Sequence, residues 1–274
     1  MLNVVRDLNK RGFPATVTLL NDHVDDQTKA RYNANAYSQF IKQLSRLNLN
    51  SGVSVRLSQI GYGMDDAAFR KNVQYVVGTA NSCAHRLWIE GEAQIGNDRM
   101  MRIYRQLKPK CSTLGVEIRP SPQFDDDIGR IRKSVSNNDI IKLTGPARDM
   151  SKKPAKIDRL KIYREYIDMI GGRHANLTVL EADEKMIGRI AAASKDYRRN
   201  LMFEVPLGYS GRNMNVLQKG KLSLSVYVPY GKDWIPYFIN RLAEGRVRNI
   251  AVALLNGEKS KVGLNVKIEG AKAG

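Results

Sequence analysis

Short apolar runs rich in β-branched residues recur along the chain, each followed by a longer stretch with helical periodicity. The runs fall at 15–20, 53–58, 86–90, 115–119, 139–144, 175–180, 201–205 and 223–228. The helical stretches fall at 27–47, 65–77, 98–107, 125–133, 156–170, 183–193 and 233–244. Several of these open on Asp, which caps the first turn and complements the helix dipole. Strand–helix alternation implies parallel strands joined by crossover helices. This number of repeats within 274 residues predicts an α/β chain of the (β/α)8 TIM-barrel class. An open, doubly wound sheet is the competing arrangement.

No linker divides the chain. The stretch 151–156 reads as a loop after the fifth strand, so residues 1–256 are expected to form one barrel domain. Residues 257–274 carry Lys259, Lys261, Lys267 and Lys272 against Glu258 and Glu269, and are expected to form a basic C-terminal extension. The best apolar run, 250–255, is too short to cross a bilayer, and Arg6 and Asp7 interrupt the N-terminus too early for a secretory signal. The expectation is a cytoplasmic protein. Cys83 and Cys111 form no C-x-x-C pair, and His23, His85 and His174 lack metal-ligand spacing, so no metal is expected. A Gly-rich phosphate loop is also missing.

The informative quantity is charge. Lys and Arg number 45 against 27 Asp and Glu, a formal net charge of +18. Such an excess points to a polyanionic partner, either nucleic acid or an anionic membrane surface, against the alternative of a generally basic, solvated exterior. Chemistry in such barrels sits where strands end and βα loops begin. That rule selects Arg56, Glu90, Glu92, Arg119, Lys142, Glu181, Asp183, Glu204 and Tyr227. Cations facing carboxylates there would either clamp a small zwitterion or form an internal salt-bridge network.

The segment from Tyr227 to Glu244, Y-V-P-Y-G-K-D-W-I-P-Y-F-I-N-R-L-A-E, resembles the last strand and final helix of the proline dehydrogenase family. V-S-V-R-L-S at 53–58 is similar to that family's V-S-V-K-L-S. E-G-E at 90–92 falls on its D-x-E, G-V-E-I-R at 115–119 on its G-x-x-L-Q, and K-L-T-G at 142–145 on its R-L-V-K-G with one residue missing. The resemblance implies a barrel with FAD that oxidises L-proline to Δ1-pyrroline-5-carboxylate and passes electrons to a membrane quinone. It would place Arg56, Glu90, Tyr227 and Arg241 around the substrate, and Arg119 and Lys142 against the flavin.

Most of those positions depart from the family's residues. Arg56 stands for lysine, Glu90 for aspartate, Arg119 for glutamine, and Asn240-Arg241 for an arginine pair, while Lys142 stands for arginine in a shortened strand. Two functions follow as the main expectations, beside a third, a different small-molecule enzyme in the same barrel. In the first, the barrel has lost catalysis, holds no cofactor, and binds RNA or a ribonucleoprotein such as the ribosome. Its contacts would come from Lys152, Lys153, Lys156, Arg198, Arg199, Arg246, Arg248 and the tail residues Lys259, Lys261, Lys267 and Lys272. In the second, it is a membrane-associated, FAD-dependent proline dehydrogenase.

Overall fold

Eight parallel strands pair in sequence order and the last pairs with the first, closing a barrel. The computed structural model describes residues 1–20, 24–120, 124–145, 158–208 and 220–231, with Met214 and Leu217. The strands are β1 (Ala15–Leu19), β2 (Ser51–Val55), β3 (Arg86–Ile89), β4 (Leu114–Ile118), β5 (Ile140–Leu143), β6 (Asn176–Leu180), β7 (Leu201–Pro206) and β8 (Ser223–Tyr230). Around them lie α1 (Leu2–Lys10), α2 (Gln27–Arg46), α3 (Asp66–Ser82), α4 (Asn97–Leu107), α5 (Phe124–Ser134), α6 (Arg159–Gly171) and α7 (Glu184–Ala193). The barrel predicted from strand–helix alternation is the fold, and the open sheet is excluded.

Local chemistry sets the helix starts. Asp26, Asp65, Asp158 and Asp183 each occupy an N-cap and accept hydrogen bonds from backbone N–H groups one turn on. The cap at Asp158 starts α6 three residues later than periodicity predicts. β2 stops at Val55, three residues earlier than the apolar pattern predicts, because the chain turns immediately into a 3-10 helix at Ser58–Ile60. Gly61 ends that turn at φ +99°, a left-handed conformation that favours glycine. The first helix, α1, escaped the sequence reading; it buries only Val5 and Leu8, a pattern too short to register as periodicity. The predicted helix at 233–244 and the predicted tail at 257–274 lie outside the described residues.

Strand residues alternate between two different interiors. Val17, Val53, Leu87, Val116, Ile141, Val179, Phe203 and Val226 join helix residues such as Tyr37, Ile41, Tyr104 and Ile167 in the main apolar core. The complementary set contains Thr16, Thr18, Ser54, Trp88, Gly115, Glu117, Lys142, Thr178, Glu204, Ser225 and Tyr227. Most of these are polar yet buried. Barrel lumens are ordinarily filled by branched aliphatics; this one is filled largely by hydroxyls and charges around one indole, with Ile140 and Met202 beside them. Trp88 has room because β4 passes it with a glycine: a Cβ on Gly115 would lie 2.5 Å from the Trp88 ring.

The N-terminal end of the sheet is tied by a charged anchor. Asp139, just before β5, is 2% exposed and accepts from the Arg105 guanidinium of α4, from the Tyr104 hydroxyl at 3.2 Å and from Ser136 N–H at 2.8 Å. Gly115→Ala tests the packing of the lumen. The added methyl must displace Trp88, and overpacking of this kind costs about 1–3 kcal/mol. The expected outcome is a lower urea midpoint at unchanged slope.

Candidate functional site

The βα ends of the strands bring together the residues that sequence reasoning placed at the mouth. Arg56 follows β2 and Glu90 follows β3. The Arg56 guanidinium donates from Nε at 3.0 Å and from Nη2 at 2.9 Å to the same Glu90 oxygen, Oε1. Thr18 donates to the other oxygen at 3.0 Å. Glu90 is thus held as an acceptor on both oxygens, and its carboxylate is 2% exposed while Arg56 is 26% exposed. Beneath them Tyr37 donates to Gln59 at 2.6 Å. Burial, reinforced by the Glu90 charge, pushes the Tyr37 phenol far above its ordinary range, so it stays a neutral donor.

Lys142 lies deeper. Its ammonium is fully buried and donates to Glu204 Oε2 at 2.6 Å. It also sits 4.5 Å from the centroid of the Trp88 ring and 5.8 Å from that of Tyr227. Ser225 donates to the second Glu204 oxygen at 3.4 Å. β5, β7 and β8 therefore converge on one buried cation. Arg119, just past β4, places Nε 3.6 Å from Glu117 Oε1. Glu181, just past β6, accepts from Arg159 and from the Tyr163 hydroxyl, and its Oε1 takes the backbone N–H groups of Ala182 and Asp183. Burial opposes the charge on Arg159, but Glu181, Tyr163 and Asp183 together outweigh it and the guanidinium pKa rises. Glu92 accepts from Ser58 backbone and hydroxyl and from Gln94. Asp183 serves as the α7 cap.

Arg56, Arg119, Lys142 and Arg159 each face a carboxylate, so the described mouth is a salt-bridge network. Arg159 and Thr18 were missed by sequence reasoning. An Asp158 cap one residue before an arginine was the available signal for the first; nothing in the sequence marked the second. Arg241, the other proposed substrate arginine, lies outside the described residues, as do Lys152, Lys153, Lys156, Arg246, Arg248, Lys259, Lys261, Lys267 and Lys272. Arg198 and Arg199 are described and exposed, at the opposite end of the barrel from the mouth.

A flavin held as the resemblance implies would need cations at Arg119 and Lys142. Arg119 is partly exposed and within reach of the mouth. Lys142 does not fit that role: its charge is enclosed under the Trp88 face and neutralised by Glu204. No cluster of three His, Cys, Asp or Glu suited to a metal occurs among the described residues. Among those residues, too, no helix is long and apolar enough to cross a membrane.

Removing the buried ammonium tests the network. Lys142→Met leaves Glu204 uncompensated and should destabilise the chain by about 3–5 kcal/mol, whereas the double variant K142M/E204L should recover most of that loss. Urea denaturation of the two variants beside the unaltered chain reads both effects.

No family model matches the chain. Over 261 residues it is 27% identical to Proline dehydrogenase 2 of Bacillus subtilis (strain 168), covering 91% of this chain and 83% of that protein. It is 24% identical over 259 residues to Proline dehydrogenase 1 of the same strain, covering 92% and 85%. The crystal structure of proline utilization A (PutA) from Bdellovibrio bacteriovorus superposes on 96% of the chain with a TM-score of 0.73 at 11% identity. PutA from Corynebacterium freiburgense superposes on 94% with a TM-score of 0.66 at 12% identity. The chain spans 33% and 31% of the length of those two proteins, and the likeness to them is one of fold.

Proposed function

Starting from a chain that is proline dehydrogenase-like in sequence and fold, we propose that it acts as a polyanion-binding barrel. Its partner is RNA or a ribonucleoprotein, and its mouth no longer runs a redox reaction. One observation carries this reading: Arg56, Arg119 and Arg159 at the mouth, and Lys142 below them, each face a carboxylate. Those four cations, each beside a carboxylate, therefore add nothing to the net charge of +18. A substrate carboxylate entering the mouth would have to displace Glu90 from Arg56, and a hydrogen bond to a charged group is worth about 1.5–3 kcal/mol. Phosphates meeting the exterior face weaker competition, because exposed pairs such as Lys29–Asp25 and Arg102–Asp98 are screened by solvent. Neutralisation of several of them releases counterions and gives sequence-independent affinity.

The second reading is a FAD-dependent proline dehydrogenase associated with an anionic membrane. It is favoured by the two relatives bearing that name, which align with nine-tenths of the chain, and by the match from Tyr227 to Glu244. On this reading Arg56 and Arg241 would hold the substrate carboxylate beside Tyr227, and Lys142 would leave the flavin contact to Arg119.

An absorption spectrum of the purified chain separates the two. The expected result is no flavin bands and no spectral change on adding L-proline. Binding to structured RNA should weaken steeply with salt, the logarithmic slope growing by about 0.7–0.9 for each phosphate contact. Flavin bands that bleach with proline would overturn the proposal.

A further inference from the structure

The barrel is polarised along its axis. Parallel strands point their C-terminal ends at the mouth, so α2 to α7 begin at the mouth and end at the opposite, N-terminal face. At the mouth end the helix starts carry Asp25, Asp26, Asp65, Asp66, Asp158 and Asp183, above the buried Glu90, Glu92, Glu117 and Glu181. At the N-terminal face the αβ connections carry exposed cations. Arg11 follows α1, Arg46 closes α2, Lys110 follows α4, Arg132 and Lys133 close α5, and Arg173 follows α6. Arg198 and Arg199 precede β7, Arg86 opens β3, and Lys221 precedes β8. Carboxylates at this end are fewer. Asp139 is buried under Arg105, Asp168 lies 3.8 Å from Arg164, and Asp7 and Asp196 are exposed.

Helix dipoles favour acids at helix starts and bases in last turns, which accounts for Arg46, Arg132 and Lys133. It does not account for Lys110, Arg173, Arg198, Arg199 and Lys221, which stand beyond the last α-helical turns. A cavity of about 480 Å³ lies at the same end, with Arg86 and Arg199, the amides of Asn50, Asn176 and Asn200, and Glu204, whose charge Lys142 neutralises, in its wall. Guanidinium and amide groups are the donors that phosphate and ribose hydroxyls accept from.

From this we infer that the N-terminal face, and not the mouth, is the surface that grips the phosphate backbone of structured RNA, with Lys110, Arg173, Arg198 and Arg199 among its contacts. The inference rests on the RNA-binding reading above and adds the face. The cations lining the described mouth already face carboxylates, which compete with the same backbone for them.

The test uses the full chain and a double-stranded RNA hairpin, titrated with salt. One variant, K110E/R173E/R198E/R199E, reverses the N-terminal face; a matched variant, R31E/R70E/K161E/K185E, reverses exposed cations in the mouth-side turns. The first should reduce the logarithmic salt slope by about 3, four contacts at about 0.7–0.9 each. The second should leave the slope within about 1 of the unaltered chain. Circular dichroism checks that both fold, and K110Q/R173Q/R198Q/R199Q replaces the first if charge reversal unfolds it. A steep slope in the unaltered chain that the mouth-side variant reduces as much overturns the placement alone. A flat titration of the unaltered chain ends the RNA reading and the placement with it. So does retention on phosphatidylserine vesicles, through the same four residues, without RNA binding.

Discussion

The ion pair between Lys142 and Glu204 is the interaction on which the interior of this barrel depends. Two charges have been taken out of water in the middle of a closed sheet, where an unpaired charge would cost several kcal/mol. The pair persists because three neighbours complete it: the Trp88 face takes the ammonium, Ser225 takes the second carboxylate oxygen, and Tyr227 closes the side toward β8. Gly115 is the backbone condition for this, since any side chain there would occupy the space of the indole. A lumen organised in this way has few aliphatic residues among those described, Ile140 and Met202 being two, and much of its order comes from directional contacts. Directional contacts fix their partners more tightly than packing does, and this one fixes Lys142 away from the mouth.

That choice propagates outward. With Lys142 neutralised below, Arg56 bound to Glu90, Arg119 beside Glu117 and Arg159 on Glu181, the described mouth is a ring of matched charges. The remaining positive charge sits outside, where dielectric screening makes each pair weak and a dense array strong. Helix dipoles favour acids at the starts and bases at the finishes, as at Asp66, Asp98 and Glu184 and at Arg46, Arg132 and Lys133. The resemblance in sequence and the unequal charge of the two ends therefore describe separate properties of one molecule: a fold shared with proline dehydrogenases and an exterior with its own electrostatics.

Much of the fold was legible in the sequence because its signals are local. Periodicity located the strands and helices, and the Asp caps located helix starts to within a few residues. Errors occurred where a local signal was weak or shared. α1 buries two residues and left no periodic trace. The run through Leu57 and Ser58 reads as strand by its apolar content, yet it forms a 3-10 turn because Gly61 permits the chain to reverse there. For the site, the charged residues at strand ends were legible as a set, since the βα rule needs only strand positions. Their partners were not, because Arg56 and Glu90 are 34 residues apart and Lys142 and Glu204 are 62 apart.

The sequence by itself determined the element order, the barrel class, the excess of positive charge and the resemblance from Tyr227 to Glu244. Each of these is a property of composition or of residues near one another along the chain. Only the tertiary structure decided which cation meets which carboxylate, that Lys142 is enclosed while Arg56 reaches solvent, and that Lys110, Arg173, Arg198, Arg199 and Lys221 stand together at the end away from the mouth. The physical reason is closure. Pairing β8 with β1 sets every strand at a fixed height and angle around one axis, and distances across that axis are not encoded by any local pattern.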